Sequence, residues 1–387
     1  MEQYKLIKYP KGTTIFKNGD KAKDYFYIIT RGKIASYNAF CEGYTIMYND
    51  GNIVGLMQAI TGESYYSNME TVENTELWQI QIENISKINN KHLIRKISNH
   101  LSFILETWLS KYYSIITKNK INLYNKEDIL TLAKIYKKND FEDASYKLCS
   151  NYIKLYEEAY DIYDIKAVKK FMQNIGHAKK PTLVEENCYK MNKGYCLYSE
   201  LEGTGKIYYI KSGKVGIYTV LDSKLIARAI YPAGYILNGG NPVLEYKPLL
   251  TTAIAIEDSV IEILNPEDLI KRLYNDVENR IQYIKMSSIK IINVVLKIKA
   301  LNKISIKDKL IVLIYAILKI ETLFTKQESV KSSYKIEDIT NMLHVEIDPK
   351  EVYLILEKIK YVELDNYKNI TIYNVEKFFK EYESYTL

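Results

Sequence analysis

Residues 11–37, KGTTIFKNGDKAKDYFYIITRGKIASY, alternate apolar and polar side chains between glycines and turn residues, and residues 193–218, KGYCLYSELEGTGKIYYIKSGKVGIY, do the same. Gly12 matches Gly194 and Gly32 matches Gly213. The match continues downstream, with DGNIVG at 50–55 opposite AGYILN at 233–238 and ENTELWQI at 73–80 opposite IEDSVIEI at 256–263. One β-rich unit therefore occurs twice, about 182 residues apart. Short β-branched and aromatic runs such as YFYII and IYYIK, broken by turn residues every eight to twelve positions or so, predict an antiparallel barrel or sandwich for each copy. Gly32 and Gly213 fall where a tight hairpin needs positive φ, which glycine adopts at low cost.

The pattern KGxxIFxxGDxxxxxYxIxxGxxxxY from Lys11 to Tyr37 resembles the opening of the cyclic-nucleotide-binding jelly roll of the cyclic-AMP receptor protein/FNR superfamily. The likeness covers most of 5–105 and 186–300 and is stronger in the first copy. It implies an α+β chain with two antiparallel β jelly-roll domains, a helical spacer and a C-terminal winged helix-turn-helix. The expected boundaries are 1–105 and 183–272 for the two β domains, 106–182 for the spacer, 273–303 for a dimerisation helix and 304–387 for the winged helix.

In that family the phosphate cassette carries a Gly-Glu pair and, after a short helix, an arginine. The carboxylate accepts from a ribose hydroxyl, and the guanidinium fork neutralises the phosphate. Here the pair falls at Gly55 and Leu56, and the arginine position falls at Tyr65 or Tyr66. In the second copy the same places read Asn238 and Gly239, with Leu249 near the arginine position. Between Lys33 and Lys87 there is no Lys or Arg, while Glu42, Asp50, Glu63, Glu70, Glu73, Glu76 and Glu83 are acidic. A desolvated phosphate there is penalised, so neither cyclic AMP nor cyclic GMP is expected to bind. A neutral or aromatic ligand touching Leu56, Met57, Tyr65 and Tyr66 is the competing reading.

Between the copies, Leu93, Ile97, Leu101, Ile104, Leu105 and Trp108 mark one face of a basic helix. LAKIYKKNDFEDASYKLCSNYIKLY at 132–156 resembles a single tetratricopeptide helix pair, with Val168 and Phe171 as candidate covering residues. After the second copy, Val277, Ile281, Ile284, Ser288, Ile291, Val295 and Ile298 repeat with heptad spacing and predict a homodimer seam. Residues 334–364 then read helix, turn, helix, and NITIY at 369–373 reads as a wing strand. Asp348 is an N-cap candidate and Pro349 a first helical residue. Lys350, Tyr353, Lys358 and Lys360 are the candidate DNA contacts. The family's reading-helix arginines are missing, and lysines and carboxylates nearly cancel over 301–387. Phosphate-driven DNA affinity is therefore expected to be weak.

The 387 residues are too many for one core, and a 47% hydrophobic content suffices for several. The net charge of +7 rests almost wholly on lysine, and this skew, like the 37 tyrosines, matches the codon usage of an AT-rich genome. No apolar run has signal-peptide or membrane-spanning length, so a cytoplasmic protein without membrane partners is expected. Cys41, Cys149, Cys188 and Cys196 lack metal-ligand spacing and read as reduced structural thiols. With no catalytic constellation and no cofactor motif, the sequence reads as a non-enzymatic, dimeric DNA-binding regulator. The alternative is a protein-interaction scaffold, or a sensor of a non-standard ligand, built from degenerate nucleotide-binding domains.

Overall fold

Eight short strands and one six-residue helix make the first β unit, in the computed structural model of the chain. They are β1 (Lys5–Tyr9), β2 (Thr14–Phe16), β3 (Tyr25–Arg31), β4 (Ile34–Tyr37), β5 (Thr45–Tyr48), β6 (Ile53–Val54), α1 (Leu56–Thr61), β7 (Asn68–Thr71) and β8 (Thr75–Gln81). The structure describes residues 4–41, 44–116, 129–156, 162–176, 179–200, 202, 204–221, 223–238, 251–365 and 369–386. The strands form two antiparallel sheets, ordered β1-β8-β3-β6 and β2-β7-β4-β5. Phe16, Phe26, Ile34, Ile53, Leu77 and Ile80 fill the space between them, each at most 2% exposed.

Among the described residues four helices follow: α2 (Lys91–Ile116), α3 (Ile129–Lys138), α4 (Glu142–Tyr156) and α5 (Ile162–Met172). On α2, the predicted residues Ile97, Leu101, Ile104 and Trp108 are buried. The α3–α4 pair is the predicted hairpin, with Ala133, Tyr136 and Ala144 at 0% exposure and Asp140 in the turn at φ 64°. Val168 of α5 is buried and α5 packs on α4, which gives the pair the cover it needs.

The second β unit comprises β9 (Thr182–Glu185), β10 (Cys188–Met191), β11 (Cys196–Tyr198), β12 (Ile207–Ser212), β13 (Lys214–Leu221), β14 (Lys224–Pro232), β15 (Ile236–Asn238), β16 (Thr252–Ala255) and β17 (Ser259–Leu264). Its sheets run β9-β10-β17-β12-β15 and β11-β16-β13-β14. Apart from the added edge strand β9, this is the strand order of the first unit. The matched glycines make matched contacts: Gly12 N–H donates to Thr71 O and Gly194 N–H to Ala255 O, both at 2.7 Å. Gly32 (φ 103°) and Gly213 (φ 82°) do more than turn the chain. A Cβ at Gly32 would stand 2.8 Å from Asn74 O, and one at Gly213 2.6 Å from Asp258 O.

The remaining elements are α6 (Pro266–Asn275), α7 (Val277–Asn302), α8 (Ile306–Glu321), β18 (Ser329–Lys331), α9 (Ile336–Leu343), α10 (Pro349–Leu356), β19 (Val362–Leu364), β20 (Ile370–Tyr373) and α11 (Val375–Tyr382). The chain gathers into two compact units, one holding 1–112, 270–323 and 374–387, the other 113–269 and 324–373. These units do not follow the sequential domains expected after residue 272. Helix α8 is buried on all sides from Leu310 to Leu318, packs on α7, and receives α11 through Tyr315 and Phe379, whose rings lie 4.9 Å apart. Helix α9 instead packs on β14, where Tyr334 Oη accepts from Ile230 N–H at 2.6 Å and Asn341 Nδ2 donates to Leu225 O at 3.1 Å.

The predicted dimer seam is corrected by the packing of α7. Ile284, Ser288, Ile291, Val295 and Ile298 are each at most 3% exposed within the single chain, where α7 lies against α1, α8 and the 3-10 turns 39–41 and 82–87. Only Val277, 40% exposed, and the half-buried Ile281 leave surface free at the start of the stripe. Arg280 fixes that start: its guanidinium donates to the carbonyls of Ile85, Ile88 and Leu273 at 2.9 Å and of Tyr274 at 3.1 Å. From Ile284 to Ile298 the heptad stripe is an intrachain core, so a second chain has no access to that part of it.

Candidate functional site

The first cassette begins where β6 ends. Gly55 takes φ 82° and leads into α1, which closes on Gly62 at φ 74°. Glycine is required at position 55 by contact as well as by conformation, because a Cβ there would lie 2.8 Å from the ring of Phe16. Phe16 in turn stacks on Tyr65, with centroids 4.1 Å apart and planes 13° from parallel. Leu56, at the acidic family position, is 2% exposed, and Tyr65 is 1% exposed. Tyr65 is pinned by its own backbone, which donates to Asp20 O at 2.9 Å and accepts from Gly19 N–H at 2.8 Å. Burial pushes its phenol well above the usual tyrosine range. An aromatic stack thus stands where the resemblance puts an arginine.

Tyr66 faces a different set of groups. Its hydroxyl donates to Glu63 Oε2 at 2.9 Å, while Glu63 Oε1 pairs with Lys319 Nζ of α8 at 2.5 Å. Lys319 also lies over the rings of Phe379 and Tyr315, at 4.5 and 5.1 Å. From α7, Lys299 Nζ stands 4.7 Å from the centroid of Tyr66 and 4.8 Å from that of Phe40, and donates to Thr386 O at 2.6 Å. Lys299 is 3% exposed, and burial, followed by the like charge of Lys303, lowers its pKa to about 7. The cation-free window 34–86 is correct as sequence, but two lysines from distant helices reach the cassette. Among their partners are this chain's own Glu63 carboxylate, aromatic rings and the Thr386 carbonyl.

In the second copy, Asn238 ends β15, half-buried and paired with Ile207 of β12. Gly239 and Leu249 lie outside the described residues.

The candidate DNA contacts lie on and just beyond α10. Asp348 caps the helix, accepting from Lys350 N–H at 2.8 Å, and Pro349 opens it. Ile336, Ile339, Leu343, Val352, Leu356 and Ile359 are buried beneath it. Lys350 is exposed and Tyr353, one turn on, is half-exposed on the same side; Lys358 and Lys360 are exposed past the helix end. Lys360 Nζ sits 5.1 Å from the Tyr361 ring centroid. The exposed carboxylates of Glu351 and Glu357 interleave with these lysines, and Leu354 between them is 55% exposed. Partial desolvation and the neighbouring Glu357 push the Tyr353 phenol upward.

Elsewhere the chemistry is quiet. All four cysteines are buried free thiols, and burial raises Cys41, Cys149 and Cys196, taking Cys149 to about 12. Among the described residues no cluster of three or more His, Cys, Asp or Glu side chains could hold a metal, and no helix is long and apolar enough to cross a membrane.

Several solved structures are similar to parts of this chain. FixK2 from Bradyrhizobium japonicum is 16% identical over 52% of this chain and 97% of its own, with a TM-score of 0.38. A putative transcriptional regulator of the Crp/Fnr family from Eubacterium rectale is 16% identical over 51% of this chain and 88% of its own, at TM-score 0.34. The regulatory subunit of a cAMP-independent protein kinase A from Trypanosoma brucei is 13% identical over 75% and 79%, at TM-score 0.23. At such distances nothing about the activity of this chain rests on them. No curated protein matches the chain. Residues 6–92, which span the first β unit from β1 to the start of α2, match the family model of the cyclic nucleotide-binding domain, and the first unit has that fold.

Proposed function

We propose that this chain is a DNA-binding regulator of Crp/Fnr type whose first nucleotide-binding-like domain no longer takes a cyclic nucleotide. The observation that carries the DNA reading is the α9–turn–α10 arrangement, followed by the β19–β20 hairpin and completed by β18. A capped helix exposed along one side beside a three-stranded sheet is the arrangement of a winged helix-turn-helix, with α10 as the reading helix. The second β unit is, on this reading, a second degenerate copy of the first. Any homodimer, which the family resemblance implies, has to form on a surface other than the α7 stripe.

Few lysines on α10 and interleaved glutamates mean few neutralised phosphates. Each phosphate contact contributes about 0.9 to the salt slope, so binding is weak with a shallow salt dependence. Sequence preference then comes from Lys350, Tyr353 and DNA shape rather than from arginine forks. The test is a salt-titrated pull-down of genomic fragments on purified protein, with the bound fragments sequenced. Enrichment of a shared motif at low salt supports the reading, and absence of enrichment at any salt concentration rejects it.

One observation favours a second reading, a protein-docking module. Leu354 lies 55% exposed in the middle of the α10 face, where a phosphate-contacting surface gains nothing from it. Substituting Leu354 by Ser separates the two: DNA retention unchanged or improved favours DNA, while loss of a protein partner with DNA retention absent throughout favours docking.

A further inference from the structure

Away from the cassettes, a cavity of about 820 Å³ opens within the second compact unit, between the α3–α4 turn, the second β unit and the first turns of α9. Its volume lies in the range of about 300–1,000 Å³ typical of small-molecule sites. The cation on the β side is positioned by construction. Asp143, 5% exposed, accepts from Lys179 N–H at 2.6 Å and from Cys196 N–H at 2.7 Å, which ties the backbone of Lys179 to β11. Lys179 Nζ donates to Lys193 O at 2.7 Å, and a Cβ at residue 194 would stand 2.9 Å from that nitrogen, so Gly194 makes room for it. Lys193, whose backbone N–H donates to Asp258 Oδ1 at 2.9 Å, lines the same wall as a second lysine.

The α9 wall is net negative, with Glu337 and Asp338 against Lys335 at the helix N-cap. Glu337 and Asp338 lie in the first turn of α9, and burial raises the Asp338 carboxyl although it caps Lys335 N–H at 2.9 Å. Apolar lining comes from Phe141 and Tyr218, whose rings meet at 4.9 Å. Lys335 and Asp140 complete the charged lining, and the two signs balance. A cavity whose lining charges balance, cationic on the β side and net negative on the α9 side, and which carries aromatic rings favours a net-neutral ligand over a net anion or cation.

We propose that this cavity is a binding site for a net-neutral zwitterion with an apolar body, an amino acid of the phenylalanine or leucine class. Its carboxylate faces Lys179 and Lys193, its ammonium faces Glu337 and Asp338, and its side chain lies on Phe141 and Tyr218. Bound there, it ties α9 to the second β unit. This site stands whether or not α10 reads DNA.

Calorimetry on the full chain with L-phenylalanine and L-leucine tests it, with phenethylamine and 3-phenylpropanoate as analogues that keep one charge each. Saturable binding of an amino acid is expected, with each analogue weaker by about tenfold or more, the loss of roughly one charge-assisted contact. Lys193→Met and Glu337→Gln, both at exposed side chains, should each weaken binding by about tenfold while leaving the melting temperature of the unliganded protein unchanged. The proposal is overturned if neither amino acid binds at about 10 mM, if the singly charged analogues bind as well as the zwitterion, or if both variants bind like the wild type.

Discussion

Replacing Lys299 by Met removes an ammonium that the fold holds at a cost. Its pKa falls from 10.5 to about 7 on folding, because the group is 3% exposed and, after burial, the like charge of Lys303 disfavours the ammonium that lies beside the Tyr66 and Phe40 rings and the Thr386 carbonyl. A lysine with a depressed folded pKa binds fewer protons in the native state than in the unfolded chain between those two values, so stability rises with pH across that window. The slope approaches about 1.4 kcal/mol per pH unit, and integrating from pH 7 to about pH 8.5 gives a gain of about 2 kcal/mol from this one residue. Below pH 7 the penalty is present in full, about 5 kcal/mol on the charged form. Urea unfolding of wild-type and Lys299→Met protein at several pH values in this range reads the effect as the difference between two curves, which cancels the cysteines because both proteins carry them. The variant should lose the upward slope while keeping a similar m-value. Parallel curves would refute the reasoning, since they would mean that Lys299 keeps an ordinary pKa and that the Tyr66 side of the cassette is wet.

Arg280→Met leaves several buried carbonyls unpaired and should lower unfolding stability by about 3 kcal/mol or more, measured by denaturant titration. Ile291→Glu, at a position 0% exposed, should destabilise the single chain by at least about 4 kcal/mol without a concentration-dependent change in mass on light scattering; clean dissociation of a dimer into folded monomers would restore the seam as an interface. His100, lowered to about 4 by burial and by Lys96, should make the protein lose stability as pH falls from about 6.5 toward 4, and His100→Gln should flatten that limb of the curve. Cyclic AMP and cyclic GMP should give no calorimetric signal, and Tyr65→Arg alone should not create one, because Leu56 still lacks the carboxylate; micromolar binding of either nucleotide by the wild type contradicts the closed cassette.

The shared strand order of the two β units was legible because strand periodicity and turn glycines are local signals: Gly12, Gly32 and Gly51 pair with Gly194, Gly213 and Gly234 in sequence, and each pair makes matching backbone contacts. That Tyr65 and Tyr66 stand where the resemblance puts an arginine was likewise legible in the sequence, and the structure buries both rings. The two lysines at Tyr66 were not, since Lys299 and Lys319 come from helices far along the chain and no local pattern marks them. The α7 stripe was misassigned because a heptad repeat states that a helix has a partner, not which one. A sign was present in the sequence, in Lys290, Asn293, Lys297 and Lys299, which the apolar stripe excludes; the structure buries them too, and Asn293 Nδ2 donates to Ala316 O of α8 at 2.7 Å. A helix covered on all sides by its own chain looks, in sequence, much like one waiting for a second copy. The division of 304–387 between the two compact units has no sequence signal, because it depends on which sheet or helix offers α8 and α9 their apolar cover.

The most direct test of the regulator reading is a gel shift with recovered genomic fragments, comparing wild-type protein with Lys350→Glu at low salt. Lys350 is exposed at the first turn of α10, its backbone already held by Asp348, so the substitution changes charge without changing the fold. Wild-type protein should retard a subset of fragments, and Lys350→Glu should lose that retention, because one phosphate or base contact is removed and a repulsive charge put in its place. Absence of a shift with the wild type, or an identical shift with the variant, would contradict the assignment of α10 as a DNA-reading helix.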